Sequence, residues 1–148
     1  MPNNQFNVLV AGTFDGIHAG HLKLLEFARK SGLKQKKNNQ TVKLWVIIAQ
    51  DSNVLKIKGK LPVHNQNERK LIAQSIKLVD EAIIGMKFDF FKTVEKIKPD
   101  LIVLGYDQSK TIENILKEKG YKAIRASAYK KNKIKTRILK ENKFQNNL

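Results

Sequence analysis

Ten consecutive residues, Gly12-Thr13-Phe14-Asp15-Gly16-Ile17-His18-Ala19-Gly20-His21, hold three of the chain's eight glycines and two of its three histidines. Glycines at Gly12 and Gly16 permit tight turns, and Gly20 leaves the backbone open to close approach by a ligand where a helix begins. The first N–H groups of a helix are unpaired and lie at the positive end of its dipole, so the segment suits a phosphate. His18 and His21, spaced i and i+3, point to one side of a helical turn and can both donate to such an anion. A metal site is the weaker reading of the pair, since no carboxylate or third histidine accompanies it. Downstream, Lys56, Lys58 and Lys60 alternate, so an extended loop would put all three on one side, with Lys56 the most readily explained as solvent-facing. His64 reads as a surface-loop histidine.

The elements around these residues follow from hydrophobic patterning. Phe6 to Ala11 is a nearly continuous apolar run ending at a glycine, as expected for a strand buried on both faces of a parallel sheet. From His21 the pattern becomes helical, and Leu33 to Gln40 is a basic connection. Val42 to Ala49 is the next strand, with Trp45 expected in the core or in the sheet's packing against a helix, and Asp51 to Asn65 reads as a long loop. Glu68 to Lys77 is predicted as a helix and Glu81 to Ile84 as a strand. Phe90 to Ile97 is a helix stopped by Pro99, and Leu101 to Leu104 a strand. Thr111 to Lys119 is a helix stopped by Gly120, Lys122 to Ala126 a strand, and Thr136 to Asn142 a last short helix. Such alternation predicts an α/β fold: an open, five-stranded parallel sheet with helices on both faces. Ligands of such sheets bind outside the carboxyl ends of the strands, which directs attention to the loops after Ala11, Ala49 and Leu104.

Composition narrows the chemistry. The chain has 148 residues, enough for a single domain spanning 1–148 with a basic C-terminal segment at about 127–148. Hydrophobic residues make up 41% and charged residues 28%, with no apolar stretch of membrane-spanning length, so a soluble protein without membrane partners is expected. The polar start, Met1 to Asn7, resembles neither a secretory nor a transit signal, which suggests a cytoplasmic location. With no cysteine, disulfides, thiolate zinc sites, thiolate nucleophiles and iron–sulfur clusters are all excluded. Lys and Arg total 29 against 13 Asp and Glu, a net charge of +16 that calls for an anionic partner. Lys119 to Lys143 is especially basic, with Glu141 its only acid. A nucleic-acid-binding protein is therefore a rival reading, weakened because no RNA or DNA motif accompanies the charge.

The segment GTFDGIHAGH resembles the GTFDxxHxGH signature of cytidylyltransferase-like nucleotidyltransferases, and the similarity runs along almost the whole chain. The resemblance implies a Rossmann-like fold and an enzyme in which His18 and His21 hold the phosphates of a nucleoside triphosphate and stabilise departing pyrophosphate. It implies nucleotide contacts from Gly12, Thr13, Phe14, His18, Gly20, His21, Gly105, Asp107, Gln108 and Thr136. It further implies phosphate or acceptor contacts from Asp15, Lys58, Lys60 and Arg69, with Lys58 joining the histidines in catalysis; Lys135 as a phosphate contact and Arg137 as a catalytic charge are candidates through their own cationic chemistry. Asp107 would meet the nucleotide's ribose or base, unless it caps the following helix. One departure stands out: where the family has a Ser/Thr cluster, this chain has Ile134-Lys135-Thr136-Arg137, so cations replace hydroxyls beside Thr136.

Within that group, Gly105-Tyr106-Asp107-Gln108, the Asp51 to Pro62 loop and Lys98 to Gly105 are similar to the archaeal FAD synthases. This implies transfer of AMP from ATP to FMN, with Phe88, Phe90 or Phe91 as candidate walls for the flavin ring. The alternative is a glycerol-3-phosphate cytidylyltransferase using CTP and glycerol 3-phosphate. No residue arrangement suggests a covalent intermediate, so the acceptor phosphate would attack directly. The implied cofactor is Mg²⁺, bridging substrate phosphates without an assigned protein ligand, and family relatives are often homodimers.

Overall fold

Strand β1 (Gln5–Gly12) begins the chain's alternation and lies at the centre of the sheet. The computed structural model describes residues 4–87 and 89–129. After β1 come α1 (Ala19–Gln35), β2 (Thr41–Ile48), α2 (Asp51–Lys58), α3 (Gln66–Gln74) and β3 (Glu81–Ile84). The second half holds α4 (Phe90–Ile97), β4 (Leu101–Leu104), α5 (Lys110–Glu118) and β5 (Ala123–Arg125). The strands run in the order β3-β2-β1-β4-β5, with every neighbouring pair parallel. The chain therefore winds outward from β1 in one direction and then, from β4, in the other, which opens a crevice between the carboxyl ends of β1 and β4.

Successive side chains of a strand face opposite ways, and both sides of β1 are covered. Val8 and Val10 join Leu44, Val46 and Val103 in a core beneath Leu25 and Ala28 of α1 and Ala73 of α3. Leu9 joins Ile47, Ile102 and Leu104 against Val94 and Ile97 of α4 and Leu116 of α5. This is the expected five-stranded parallel sheet with helices on both faces. Trp45 is only half-buried: its indole Nε1 donates to Asn7 Oδ1 at 3.1 Å, and the Lys43 ammonium lies 4.2 Å from its ring centroid. The indole thus keeps a polar partner and a wet side in place of full burial. No helix among the described residues is long and apolar enough to cross a membrane.

The largest departure from the sequence pattern is α2, where a loop was expected throughout Asp51 to Asn65. Its signals are at its ends: Asp51 in the first turn, Lys56 and Lys58 in the last, and Gly59 in the left-handed conformation at the C-cap. Val54 is its one buried residue, so no apolar stripe advertises it. Smaller differences concern element ends: α1 runs to Gln35, into the expected connection, and α3 starts at Gln66, where Asn65 and Glu68 form a reciprocal capping box. The expected helix Thr136 to Asn142, the Ile134-Lys135-Thr136-Arg137 stretch and Phe88 lie outside the described residues.

Candidate active site

The glycine-rich segment leaves β1 and folds back on itself before α1. Phe14 occupies the left-handed region at φ 52°, uncommon for a bulky residue, and its ring is buried 5.4 Å from that of His21. Gly12 lies close against that ring: a Cβ there would stand 3.0 Å from Phe14 Cε2, a tight contact. Phe14, expected to contact nucleotide, is thus a wedge beneath the loop rather than part of its open surface.

His18 is the N-cap of α1, with an extended backbone, so it precedes the helix instead of sitting on its first turn. Its Nδ1 accepts from the Gly20 N–H at 3.0 Å, while His21 Nδ1 accepts from the His18 N–H at 3.2 Å. The two imidazoles therefore perform the exchange usually made by Ser/Thr and Glu in a capping box. A neutral imidazole whose Nδ1 accepts must carry its proton on Nε2, so both rings keep one N–H to donate. The rings lie 4.2 Å apart between centroids. Burial lowers the His18 pKa. Burial also pushes His21 down to about 4, with the nearby His18 and Lys58 charges adding to the effect and Asp107 opposing it. The site holds a neutral pair of donors. The expected reason for Gly20 changes with it: a Cβ at that position would stand 2.7 Å from His18 Cε1, so the glycine admits the histidine's own ring.

Lys58 reaches this segment from the end of α2, its Nζ 3.2 Å from Thr13 Oγ1. Lys60 is exposed beyond Gly59. Because Lys56 and Lys58 are two residues apart on a helix, about 200° around its axis, the three lysines do not share the side expected of an extended loop. Two other expected contact residues, Asp15 and Arg69, make hydrogen bonds within the protein. The Asp15 carboxylate accepts from the Val63 and His64 N–H groups at 2.7 and 3.1 Å. Arg69 is fully buried, donating to His64 O at 2.9 Å, Thr13 O at 2.7 Å and Asp51 Oδ1 at 2.6 Å. Its guanidinium is committed to these protein acceptors and braces the glycine-rich segment through Thr13. His64, on the surface as expected, sets its Nδ1 3.4 Å from Glu68 Oε2.

Across the crevice, Gly105 is buried while Tyr106 and Asp107 are exposed. Gln108, expected to read the substrate, uses both ends of its amide internally: Nε2 donates to Ala11 O at 2.6 Å and Oε1 accepts from the Gly105 N–H at 3.2 Å. It ties the β4–α5 loop to the end of β1. Ser109 caps α5, which leaves Asp107 out of the capping role. Phe90 and Phe91 pack partly buried against the core on the α4 side. Asp51 and Arg125, the anchors of the two loops, were missed in the sequence; the acid opening α2 was a signal for the first, and Arg125 was hidden in the general basic bias.

Residues 9–142 match the family model described as cytidylyltransferase-like. The chain belongs to this family. Among curated proteins, this cytidylyltransferase-like chain is 44% identical over 128 residues to an FAD synthase of Methanothermus fervidus, covering 83% of each chain. It is 42% identical over 118 residues to an FAD synthase of Aciduliprofundum boonei, covering 78% of this chain and 72% of that one. A crystal structure of a lipopolysaccharide core biosynthesis protein from Thermoplasma volcanium superposes with a TM-score of 0.70 at 33% identity, covering 84% of this chain and 98% of the other.

Proposed function

We propose that this protein is an FMN adenylyltransferase, joining the AMP moiety of ATP to FMN to give FAD and pyrophosphate. The observation that carries the reading is the 39–44% identity to FAD synthases over most of the chain. The geometry supplies matching chemistry. An FMN phosphate oxygen, already anionic, attacks the α-phosphorus of ATP in line as the bond to the bridging oxygen of the β-phosphate breaks. No described side chain has to remove a proton for that step. His18 and His21 donate from Nε2 to the phosphate oxygens where charge grows, already oriented by their Nδ1 contacts. Lys58, beside Thr13, adds positive charge at the same edge. Thr136 is assigned to the leaving pyrophosphate from the family's Ser/Thr pattern, Lys135 and Arg137 through the charge they carry in place of its hydroxyls, and Lys60 to an acceptor phosphate.

Nucleotidyltransferases of this kind generally use a divalent metal. Among the described residues no three His, Asp or Glu side chains converge as a metal-binding group. The donors around the phosphate position, two neutral imidazole N–H groups and an ammonium, suit anions, so the residues fit an ion carried by the substrate and not one caged by protein. Mg²⁺ is the proposed ion, neutralising phosphate charge while keeping most of its water. The family resemblance also supports a homodimer, which sedimentation velocity can check; the proposed cytoplasmic location is open to cell fractionation. The deciding experiment incubates the protein with FMN, ATP and Mg²⁺ and separates the products by chromatography. FAD with equimolar pyrophosphate is expected; CDP-glycerol from CTP and glycerol 3-phosphate, without FAD, would transfer the assignment to a cytidylyltransferase.

A further inference from the structure

The β4–α5 loop is held from its outer side by a single guanidinium. Arg125, the last residue of β5, donates through Nη1 to Gly105 O, Tyr106 O and Gln108 O at 3.0, 3.2 and 2.7 Å. Its Nε and Nη2 donate to Glu113 Oε2 at 3.2 and 2.6 Å. Glu113 is itself buried on α5 and also accepts from Lys117 at 3.1 Å. Its hydrogen bonds with Arg125, and secondarily with Lys117, push its pKa down to about 2, so the anchor stays ionised through the neutral range.

The direction of those three carbonyls has a geometric corollary. In a planar trans peptide the C=O of one residue and the N–H of the next point opposite ways. Turning the carbonyls of Gly105, Tyr106 and Gln108 toward Arg125 therefore turns the N–H groups of Tyr106, Asp107 and Ser109 away from it. In the sheet, β4 lies between β5, which carries Arg125, and β1, which leads into the glycine-rich segment. No described acceptor pairs with the Tyr106 or Asp107 N–H, whereas Gln108 fastens the same loop to Ala11 O.

We propose that Arg125 is a positioning residue for nucleotide binding: it orients the peptides of the β4–α5 loop so that two backbone donors and the Asp107 carboxylate face the base and ribose of the triphosphate. The inference rests on the nucleotide-site reading above, though not on FMN being the acceptor. Lysine cannot replace it, since one ammonium lacks the planar fork that spans three carbonyls and a carboxylate together.

The test compares wild type with Arg125→Lys and Glu113→Gln, measuring ATP and FMN affinity separately by titration calorimetry with Mg²⁺, alongside FAD formation and thermal unfolding. Arg125→Lys is expected to weaken ATP binding about tenfold or more, the scale of lost hydrogen bonds to a charged group. FMN affinity should stay within about twofold of wild type, a split that general loss of structure does not produce. Glu113→Gln, which keeps the shape and removes the charge, should weaken ATP binding by about threefold. Unchanged ATP affinity in both variants, or equal loss for ATP and FMN, overturns the role. If wild type binds ATP but makes no FAD while ATP affinity still follows Arg125, the FMN reading fails and the positioning role stands.

Discussion

His18 divides two duties between two ring nitrogens, and substitution can separate them. Nδ1 caps α1 while Nε2 carries the proton, so His18→Ala loses both and His18→Asn keeps an acceptor for the Gly20 N–H. Both variants should lower turnover by about a hundredfold or more, the usual consequence of removing one preorganised donor from developing charge. Only the alanine should also lose about 1 kcal/mol of stability, as expected for a missing N-cap. Near wild-type turnover in His18→Asn would remove the ring from the phosphate site. His21 makes a pH prediction. Its folded pKa of about 4 lies below the ordinary 6.5, so the native state binds fewer protons than the unfolded chain as pH falls. The stability it contributes is complete above 6.5 and declines as pH drops toward about 4. Melting temperatures from about pH 7 to about pH 4.5 should accordingly fall more steeply for wild type than for His21→Gln; parallel curves would refute the shift. The pair itself was legible in the sequence because its spacing is local. Its exchange of Nδ1 contacts was not, since that depends on His18 leaving helical geometry.

At the level of elements, α1 is placed by a glycine at its other end. A Cβ at Gly32 would stand 2.6 Å from Val8 Cγ2 and 3.1 Å from Val42 Cγ1, so the helix touches β1 and β2 through this gap. In an open helix interior Gly→Ala would gain about 1 kcal/mol. Here crowding against two β-branched residues on the sheet outweighs that, and Gly32→Ala should destabilise by a net amount of about 1–2 kcal/mol. Urea unfolding measures the difference, and a stabilised variant would show that the helix can lift without penalty. The glycine-rich segment has a comparable brace in Arg69, whose partner Thr13 lies 56 residues away. Cutting it to alanine leaves Asp51 without its buried cation and should cost about 3 kcal/mol or more. Patterning exposed the five strands because each carries a short apolar run. It hid α2, whose contact with the core is Val54, and it gave no sign of the internal hydrogen bonds of Arg69 and Gln108, which reach acceptors distant in sequence.

Over the whole molecule, the sequence carries a net charge of +16, and the proposed reaction joins two phosphorylated substrates. Such a field speeds the encounter with anions and is screened beyond about 10 Å at 0.1 M salt. Raising ionic strength from about 0.05 to about 0.5 M should therefore raise the KM values of ATP and FMN together while kcat changes little. A salt-independent KM would mean that only short-range contacts matter. The winding order was readable because each crossover is a local strand–helix–strand unit; the tie from Gln108 to Ala11 that closes the crevice spans 97 residues and left no local trace. One of the long-range ties, from the Asp15 carboxylate to the amides of Val63 and His64, links the glycine-rich segment to a stretch that touches no substrate phosphate in the proposed mechanism. Those two amides exchange with solvent only when the tie opens, so they report the loop's local opening equilibrium. A triphosphate that binds only the closed loop must suppress that opening in proportion to its occupancy. Deuterium uptake at Val63 and His64 thus becomes a gauge of ligand occupancy read from outside the binding site.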